Sequence, residues 1–148
     1  MGKKRPMGGK IDNATRAVAA VAVERSCAIL VVEGDPDQQW RLARALTVLG
    51  HRVVGTSSAD GALALVREWP VDLVLVSDTV VGSNELDLAN LVNDARPGVP
   101  VVLVARAESP LTRAEALFAG FFECVVKPFR PEMLSDLLGR LPASPAAA

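Results

Sequence analysis

Residues 71–78 read VDLVLVSD, an apolar run that is interrupted only by Asp72 and ends on two polar residues. A short, nearly continuous apolar run is typical of a β-strand that is covered on both faces. Similar runs lie on either side of it along the chain: CAILVV (27–32), RVVGT (52–56), VPVVLV (99–104) and FFECVV (121–126). The repeated pattern predicts a sheet of five buried strands.

Segments with helical periodicity lie between these runs and after the last one. They predict helices over residues 37–49, 59–69, 85–95, 111–119 and 131–141. The first helix has the clearest boundaries, because Asp35 can cap it, Pro36 suits its first turn and Gly50 ends it. Strands that alternate with helices form a parallel sheet with helices on both faces. The expected fold is a flavodoxin-like, doubly wound α/β domain with strand order 2-1-3-4-5.

The composition suits one globular domain. The chain has 148 residues, half of them apolar, and a net charge of −1, so nothing in its overall charge favours nucleic-acid binding. We expect the domain to span residues 27–141, after a basic, flexible leader (1–26) that could hold a short helix, and before a disordered tail (142–148). No apolar run reaches the ~18 residues that cross a bilayer, so membrane insertion is not expected. Cys27 and Cys124 fit neither a disulfide framework nor a zinc site, which favours the reducing cytoplasm.

Seven residues near the ends of the predicted strands are candidates for a functional site, which we call the acidic pocket. They are Glu33, Gly34 and Asp35 after the first strand, Ser77 and Asp78 after the third, Ala105 after the fourth and Lys127 after the fifth. In a doubly wound sheet the carboxyl ends of the strands meet at one edge, and ligands bind there. Acidic oxygens and a lysine ammonium at that edge could hold Mg²⁺ and a phosphoryl group.

Four segments resemble the signature segments of response-regulator receiver domains of two-component systems: ILVVEGDP (29–36), VDLVLVSDTVVG (71–82), PVVLVARA (100–107) and AGFFECVVKPF (119–129). The resemblance implies a domain that takes a phosphoryl group from a histidine kinase onto an Asp after strand 3, beside Mg²⁺ held by two acids after strand 1. It also implies that a Ser or Thr after strand 4 and an aromatic residue on strand 5 relay the change to the surface of helix 4, strand 5 and helix 5. A Lys-Pro pair in this motif typically carries a cis peptide bond.

The chain departs from the family pattern at the positions that carry the chemistry. The phosphoacceptor, the second metal-binding acid, and the hydroxyl and aromatic residues of the switch are replaced by Ser77, Gly34, Ala105 and Cys124. Acyl phosphate formation needs a carboxylate nucleophile close to Mg²⁺, so these losses predict a degenerate site. Lys127 remains and needs a partner at the sheet edge; we expect Glu33 first, then Asp78 or Ser77.

Two nearby acids could replace the missing ones. Asp78 could accept a phosphoryl group if an early end of its strand turned it into the acidic pocket; otherwise it is a polar loop residue that caps the turn at Gly82. Asp35 could bind metal, although its position before Pro36 already explains it as a helix cap. No metal is expected, and the weak candidates for metal ligands are Glu33, Asp35 and Asp78.

Trp40 should face away from the sheet, opposite the predicted core stripe of helix 1, which is Leu42, Ala45, Leu46 and Leu49. An outward Trp is a candidate for a protein interface, a lone surface aromatic, or a side chain covered by residues 14–23. The predicted interaction surface combines it with residues of helix 4, strand 5 and helix 5: Trp40, Arg113, Cys124, Arg130 and Met133. We expect the four phenylalanines to lie mostly in the core: Phe118, Phe121, Phe122 and Phe129.

Three hypotheses of function follow. The favoured one is a stand-alone pseudo-receiver of bacterial signal transduction, which binds another signalling protein or a second copy of itself without phosphorylation, cofactor or enzymatic activity. The alternative is a live phosphorelay receiver that uses Asp78 and Mg²⁺. The third is a flavodoxin-like nucleotide- or cofactor-binding domain, which the lack of a Gly-rich phosphate loop disfavours.

Overall fold

The computed structural model describes residues 26–80, 85–109 and 112–141. Within these ranges strands and helices alternate as β1 (Ala28–Val32), α1 (Pro36–Val48), β2 (Arg52–Thr56), α2 (Ala59–Glu68), β3 (Leu73–Ser77), α3 (Glu85–Ala95), β4 (Val101–Ala105), α4 (Arg113–Phe118), β5 (Glu123–Val126) and α5 (Pro131–Arg140). All strand pairs are parallel, and the sheet order is β2-β1-β3-β4-β5. The predicted doubly wound, flavodoxin-like fold is confirmed.

The two faces of the sheet carry separate apolar cores. Every residue of β1, β3 and β4 is buried, because helices cover both faces of these central strands. Side chains alternate between the faces, so Val31 and Leu75 pack with Leu46 of α1 and Leu134 of α5. The other face packs against α2, α3 and α4 through residues such as Val66. The carboxyl ends of the strands therefore lie together at one edge of a rigid sheet.

Side-chain caps define where the helices begin. The Asp35 carboxylate accepts a hydrogen bond from the Asp37 amide, and Pro36 stands at the first position of α1, as predicted. Before α4, Thr112 and Glu115 form a reciprocal capping box. This cap begins α4 at Arg113 and makes it shorter than the predicted helix.

Several core predictions need correction. Phe118 is 96% exposed, because it is the last residue of α4 and lies away from the face on which Ala116 is buried. Phe121 is buried, whereas Phe122 and Phe129 are half-buried against the core beneath α1 and α5. On α1, Leu46 and Leu49 are buried and Leu42 is half-buried, but Ala45 is exposed. The core stripe of α1 is therefore narrower than predicted.

Some sequence predictions lie outside the described residues. These are the leader with its possible helix, the proposed cover over Trp40 by residues 14–23, the turn at Gly82 and the tail. Among the helices that the structure does describe, none has the length and apolar character needed to cross a membrane.

Candidate functional site at the carboxyl edge of the sheet

Three side chains converge where the strands end. Glu33 follows β1, Ser77 ends β3 and Lys127 follows β5. Two residues earlier, Val31 and Leu75 point into the core beneath α1 and α5. Because side chains alternate along a strand, Glu33 and Ser77 project from the same face of the sheet. The parallel register thus brings an acid, a hydroxyl and an amine together above that core.

The Lys127 ammonium donates three hydrogen bonds within the pocket. Its Nζ lies 3.1 Å from Glu33 Oε1, 2.8 Å from Gln38 Oε1 and 2.7 Å from Ser77 Oγ. The predicted pairing of Lys127 with Glu33 is confirmed, and the Lys127-Pro128 peptide bond is cis. Gln38 was not among the predicted site residues. Its position in the first turn of α1, shortly after Glu33 and Asp35, is the sequence feature that could have indicated a contact with the pocket. All three protons of the ammonium are used.

Thr79, which was also not among the predicted site residues, links the loops that follow β1 and β3. Its Oγ1 accepts a hydrogen bond from the Gly34 amide at 3.1 Å, lies 3.0 Å from Ser77 Oγ and donates to Glu33 Oε2. Its amide donates to Ser77 Oγ at 3.2 Å. The signal was a second hydroxyl residue two positions after Ser77, in a loop whose course the sequence does not reveal.

The protons of this network can be assigned by counting lone pairs. Ser77 Oγ accepts from Lys127 and from the Thr79 amide, which uses both of its lone pairs. Its own proton is therefore donated to Thr79 Oγ1, and the Thr79 proton goes to Glu33. Each hydroxyl of the network then donates one hydrogen bond and accepts two, and both oxygens of Glu33 accept at least one.

Asp78 lies at the border of the acidic pocket. Its side chain is 3% exposed, and its Oδ2 accepts hydrogen bonds from the Arg106 amide at 2.9 Å and from Arg106 Nε at 3.1 Å. Its Oδ1 lies 3.7 Å from Lys127 Nζ and has no hydrogen-bond partner among the described residues. The bond to Asp78 raises the pKa of Arg106. Asp78 does approach Lys127, but Arg106 holds one of its two oxygens.

The carboxylate of Asp35 is hydrogen-bonded to the helix that it caps. One carboxylate oxygen accepts from the Asp37 amide at 2.9 Å, and the other accepts from Gln38 Nε2 at 3.0 Å. The Gln38 bond, followed by the Asp37 amide, lowers the pKa of Asp35. The Asp35 amide donates to Glu33 Oε2 at 2.9 Å. Both of its carboxylate oxygens therefore serve the first turn of α1.

The donors present are a poor match for Mg²⁺, the ion that receiver resemblance implies. Magnesium prefers carboxylate and water oxygens in octahedral geometry. Glu33 gives one oxygen to Lys127 and the other to the Asp35 amide and Thr79. In the part of the chain that the structure describes, no group of three or more His, Cys, Asp or Glu side chains could hold a metal ion.

The two switch positions carry small side chains. Ala105 is buried and has no hydroxyl. Cys124 is half-buried, and its pKa is raised by burial and next by the charge of Glu123. The thiol is therefore neutral near pH 7.

Glu123, at the start of β5, is a buried carboxylate that joins α4 to α5 through ion pairs with two exposed arginines. Its Oε1 lies 2.6 Å from Arg113 Nε, and its Oε2 lies 3.0 Å from Arg113 Nη2 and 3.0 Å from Arg140 Nη1. Arg140 also contacts Asp136 at 3.0 Å. The Arg113 bonds lower the pKa of Glu123 to about 2. The sequence suggested Arg113 as a surface cation but did not reveal its bond to Glu123.

The remaining residues of the predicted interaction surface are reached from solvent to different degrees. Trp40 is 62% exposed, and the guanidinium of Arg44 lies 5.5 Å from its ring centroid. Arg130 is exposed and Met133 is half-buried. Trp40 therefore faces away from the sheet, as its position in the helix period predicted.

A five-stranded parallel sheet with an acid, a hydroxyl and a lysine at its carboxyl edge defines a receiver-like signalling domain. The family model of the response regulator receiver domain matches residues 29–138. The chain therefore belongs to the response-regulator receiver family and is a receiver domain of two-component signalling. This membership favours both receiver hypotheses over the nucleotide-binding one.

Known relatives agree with this assignment. The chain is 31% identical over 121 residues to the response regulator protein FleR of Pseudomonas aeruginosa, covering 78% of this chain and 26% of FleR. It is 32% identical over 114 residues to the DNA-binding response regulator MtrA of Mycolicibacterium smegmatis, covering 76% of this chain and 50% of MtrA. It thus spans half or less of the length of these two relatives.

A solved receiver domain shares the fold. The receiver domain of a sensor histidine kinase from Pseudomonas aeruginosa PAO1, which has a magnesium ion coordinated in its active-site cleft, matches with a TM-score of 0.69 at 22% identity. The match covers 79% of this chain and 98% of that one.

Proposed function

We propose that this receiver domain signals in the bacterial cytoplasm by binding another signalling protein, without being phosphorylated and without Mg²⁺. One observation carries the proposal. Ser77, Thr79, Glu33 and Lys127 form a closed hydrogen-bond network at the position where a receiver accepts its phosphoryl group. This network leaves Ser77 Oγ without a free lone pair and engages all three protons of the Lys127 ammonium, so neither group is free to receive a phosphoryl group.

The chemistry of Ser77 supports this proposal. Attack on phosphorus needs a free lone pair on the nucleophile and a base that removes its proton. Both lone pairs of Ser77 Oγ accept hydrogen bonds, one of them from the Lys127 ammonium. A cation at 2.7 Å also lowers the nucleophilicity of the oxygen to which it is bonded. Ser77 is therefore a structural hydroxyl.

The surface formed by α4, β5 and α5 is the proposed docking face. A switch needs an element with two states that a ligand binds differently. Ala105 and Cys124 offer no large side chain that moves between two positions. Glu123 bonds to α4 and α5 together, which favours one arrangement of this face. Partner concentration or location would then regulate binding, and a second copy of the chain is a possible partner.

One observation favours the alternative of a live receiver. Asp78 Oδ1 is a buried carboxylate oxygen without a hydrogen-bond partner among the described residues, 3.7 Å from Lys127 Nζ. A shift of Arg106 away from Asp78 would expose a carboxylate nucleophile beside a lysine. The alternative therefore requires access to the buried Oδ1 of Asp78, while Arg106 holds Oδ2 through two hydrogen bonds.

Intact-mass measurement after incubation with acetyl phosphate and Mg²⁺ tests the proposal. A receiver with a complete acidic site, treated in the same way, serves as the positive control. We expect no phosphoryl adduct on this chain, with or without metal. An adduct that is lost in Asp78→Asn and kept in Ser77→Ala would overturn the proposal and establish Asp78 as the acceptor.

A further inference from the structure

A cavity of about 530 Å³ opens over the acidic pocket, on the face of the sheet that carries α1 and α5, and its polar lining includes Glu33, Ser77 and Lys127. Its apolar lining comes from three strands, α1 and the segment after β5: Val31, Leu42, Ala45, Leu75, Val104 and Phe129. Small-molecule sites commonly measure about 300–1,000 Å³ and are mostly apolar with a few placed polar groups. The size and lining of this cavity fit that description.

The small side chain of Ala45 helps to keep the cavity open. This residue was predicted to pack in the core, yet it is exposed and lines the cavity. Val31, Leu75 and Val104 form a floor on central strands, where every residue of the strand is buried. These three side chains are themselves almost fully buried, so the apolar surface that a ligand could contact comes mainly from Leu42, Ala45 and Phe129.

Most charges at the cavity mouth are already paired. Lys127 is neutralised by Glu33 at 3.1 Å, and Arg41 pairs with Asp37 at 2.6 Å. These pairs leave little net charge on that side of the mouth.

Arg106 and Glu108 are the exceptions at the mouth. Arg106 bonds to Asp78 through its amide and Nε, so its two terminal guanidinium nitrogens have no partner in the described ranges. Glu108 lines the same cavity and is exposed, and its charge is close enough to Arg106 to help raise the pKa of that guanidinium. The mouth thus offers a bidentate donor and a carboxylate acceptor at the opening of an apolar space.

We propose that this cavity binds a free amino acid with a large apolar side chain. The ligand carboxylate would bond to the terminal nitrogens of Arg106, and its ammonium group would face Glu108. An organic acid alone would meet repulsion from Glu108, and an amine alone would meet repulsion from Arg106. A zwitterion with an apolar body satisfies both charges and the apolar lining formed by Leu42, Ala45 and Phe129.

Binding here would also reach the proposed docking face. Residues 106–109 follow β4 and lead towards α4, so a ligand held by Arg106 and Glu108 would restrain the start of that connection. This regulatory consequence rests on the proposed function, whereas ligand binding itself does not. Binding measured without any partner keeps the two separable.

Titration calorimetry of the full chain with L-tryptophan tests the proposal, with indole-3-propionate and tryptamine as probes that each lack one charge. We expect saturable binding of L-tryptophan at one site, and affinities at least about tenfold lower for the two analogues. Absence of saturable binding, or indole-3-propionate binding as tightly as L-tryptophan, would overturn the proposal.

Three substitutions locate the site. Ala45→Phe, which fills the cavity, should abolish binding. Arg106→Gln should weaken L-tryptophan but not tryptamine, and Glu108→Gln should weaken L-tryptophan but not indole-3-propionate. Arg52→Gln, at an exposed position at the start of β2, is the matched control and should bind normally. Thermal unfolding shows whether each variant is folded. Unchanged binding in a folded Ala45→Phe variant would refute the site.

Discussion

The Nζ atom of Lys127 lies 2.7 Å from the Oγ atom of Ser77, so the ammonium donates a hydrogen bond directly to the residue at the phosphoacceptor position. The same ammonium is bonded to Glu33, which is 3% exposed. Lys127 thus compensates a buried carboxylate and occupies the lone pair that a nucleophile would need. The polar groups of a receiver site serve here as a structural network.

Lys127→Met should lower the free energy of unfolding by about 3–5 kcal/mol, because it leaves the buried Glu33 carboxylate without its cation. Urea denaturation at pH 7 measures the change. The double variant Lys127→Met/Glu33→Gln should lose less than the sum of the two single losses, since it removes both charges. If the losses of the two single variants simply added, Lys127 and Glu33 would not stabilise each other, contrary to this prediction.

Ser77→Asp should not create a phosphate-dependent switch. The new carboxylate would meet Lys127 and Thr79, while Gly34 still lacks a metal-binding acid and Ala105 still lacks a hydroxyl. Two-dimensional NMR spectra with and without acetyl phosphate and Mg²⁺ should therefore coincide across α4, β5 and α5. Ser77→Asn is the uncharged control of the same shape. New resonances on that face in Ser77→Asp alone would show that one carboxylate restores the switch.

Most of the fold could be predicted, whereas part of the site could not. The apolar runs and helix periods determine five alternating units, and caps such as Asp35 place boundaries within a few residues. Two of the residues around Lys127 were predictable: Glu33 and Ser77 lie at strand ends, where the alternation of side chains fixes their direction. Gln38 and Thr79 depend on the course of a loop and the tilt of a helix, which periodicity does not encode.

The same limit explains two other differences. Phe118 is apolar and follows a helical pattern, so sequence favours burial, but it ends a short helix and is 96% exposed. Glu123 interrupts an apolar strand, and its compensation by Arg113 and Arg140 requires the relative positions of two helices. Long-range pairing of charges is a property of packing, and one sequence alone does not reveal it.

Glu123→Gln should lower the free energy of unfolding at pH 7 by about 1–2 kcal/mol, because it weakens the hydrogen bonds to Arg113 and Arg140, whose exposed guanidinium groups are screened by solvent. The pKa of Glu123 is lowered to about 2, so the stability it contributes is present above pH 4.5 and is lost as pH falls from 4.5 towards 2. The difference between the natural chain and the variant should shrink over that window in urea titrations.

Asp37→Asn is the matched control for Glu123→Gln. The Asp37–Arg41 pair is about 70% exposed on both sides, and surface pairs of this kind contribute less than about 1 kcal/mol. An equal loss of unfolding free energy in the two variants would show that the buried Glu123 pairs stabilise the domain no more than an exposed pair does.

The stability of the domain should fall as pH drops below about 6.5, because His51 is buried and burial lowers its pKa. Its Nδ1 accepts a hydrogen bond from the Cys27 amide at 3.0 Å, and protonation of that atom breaks the bond. Unfolded His51 takes up a proton first, so stability is complete above 6.5 and decreases by at most about 1.4 kcal/mol per pH unit. His51→Gln should flatten the profile between pH 7.5 and 5. An unchanged slope in that variant would assign the dependence to other groups.

The docking face should tolerate loss of the Ser77 hydroxyl but not a change of surface charge. We expect partner binding in pull-down experiments to survive Ser77→Ala, because Ser77 is buried and does not reach the surface. Arg113→Glu should weaken binding through α4 and β5, since Arg113 is 63% exposed and its replacement also repels Glu123.

Trp40→Ala tests the separate face of α1, where the Trp40 ring is exposed beside Arg44. Arg41→Gln, on the same helix, is the control for a general effect of lost charge. If Ser77→Ala abolished binding while Arg113→Glu and Trp40→Ala left it intact, recognition would depend on the pocket, and a phosphate-independent docking surface would be wrong.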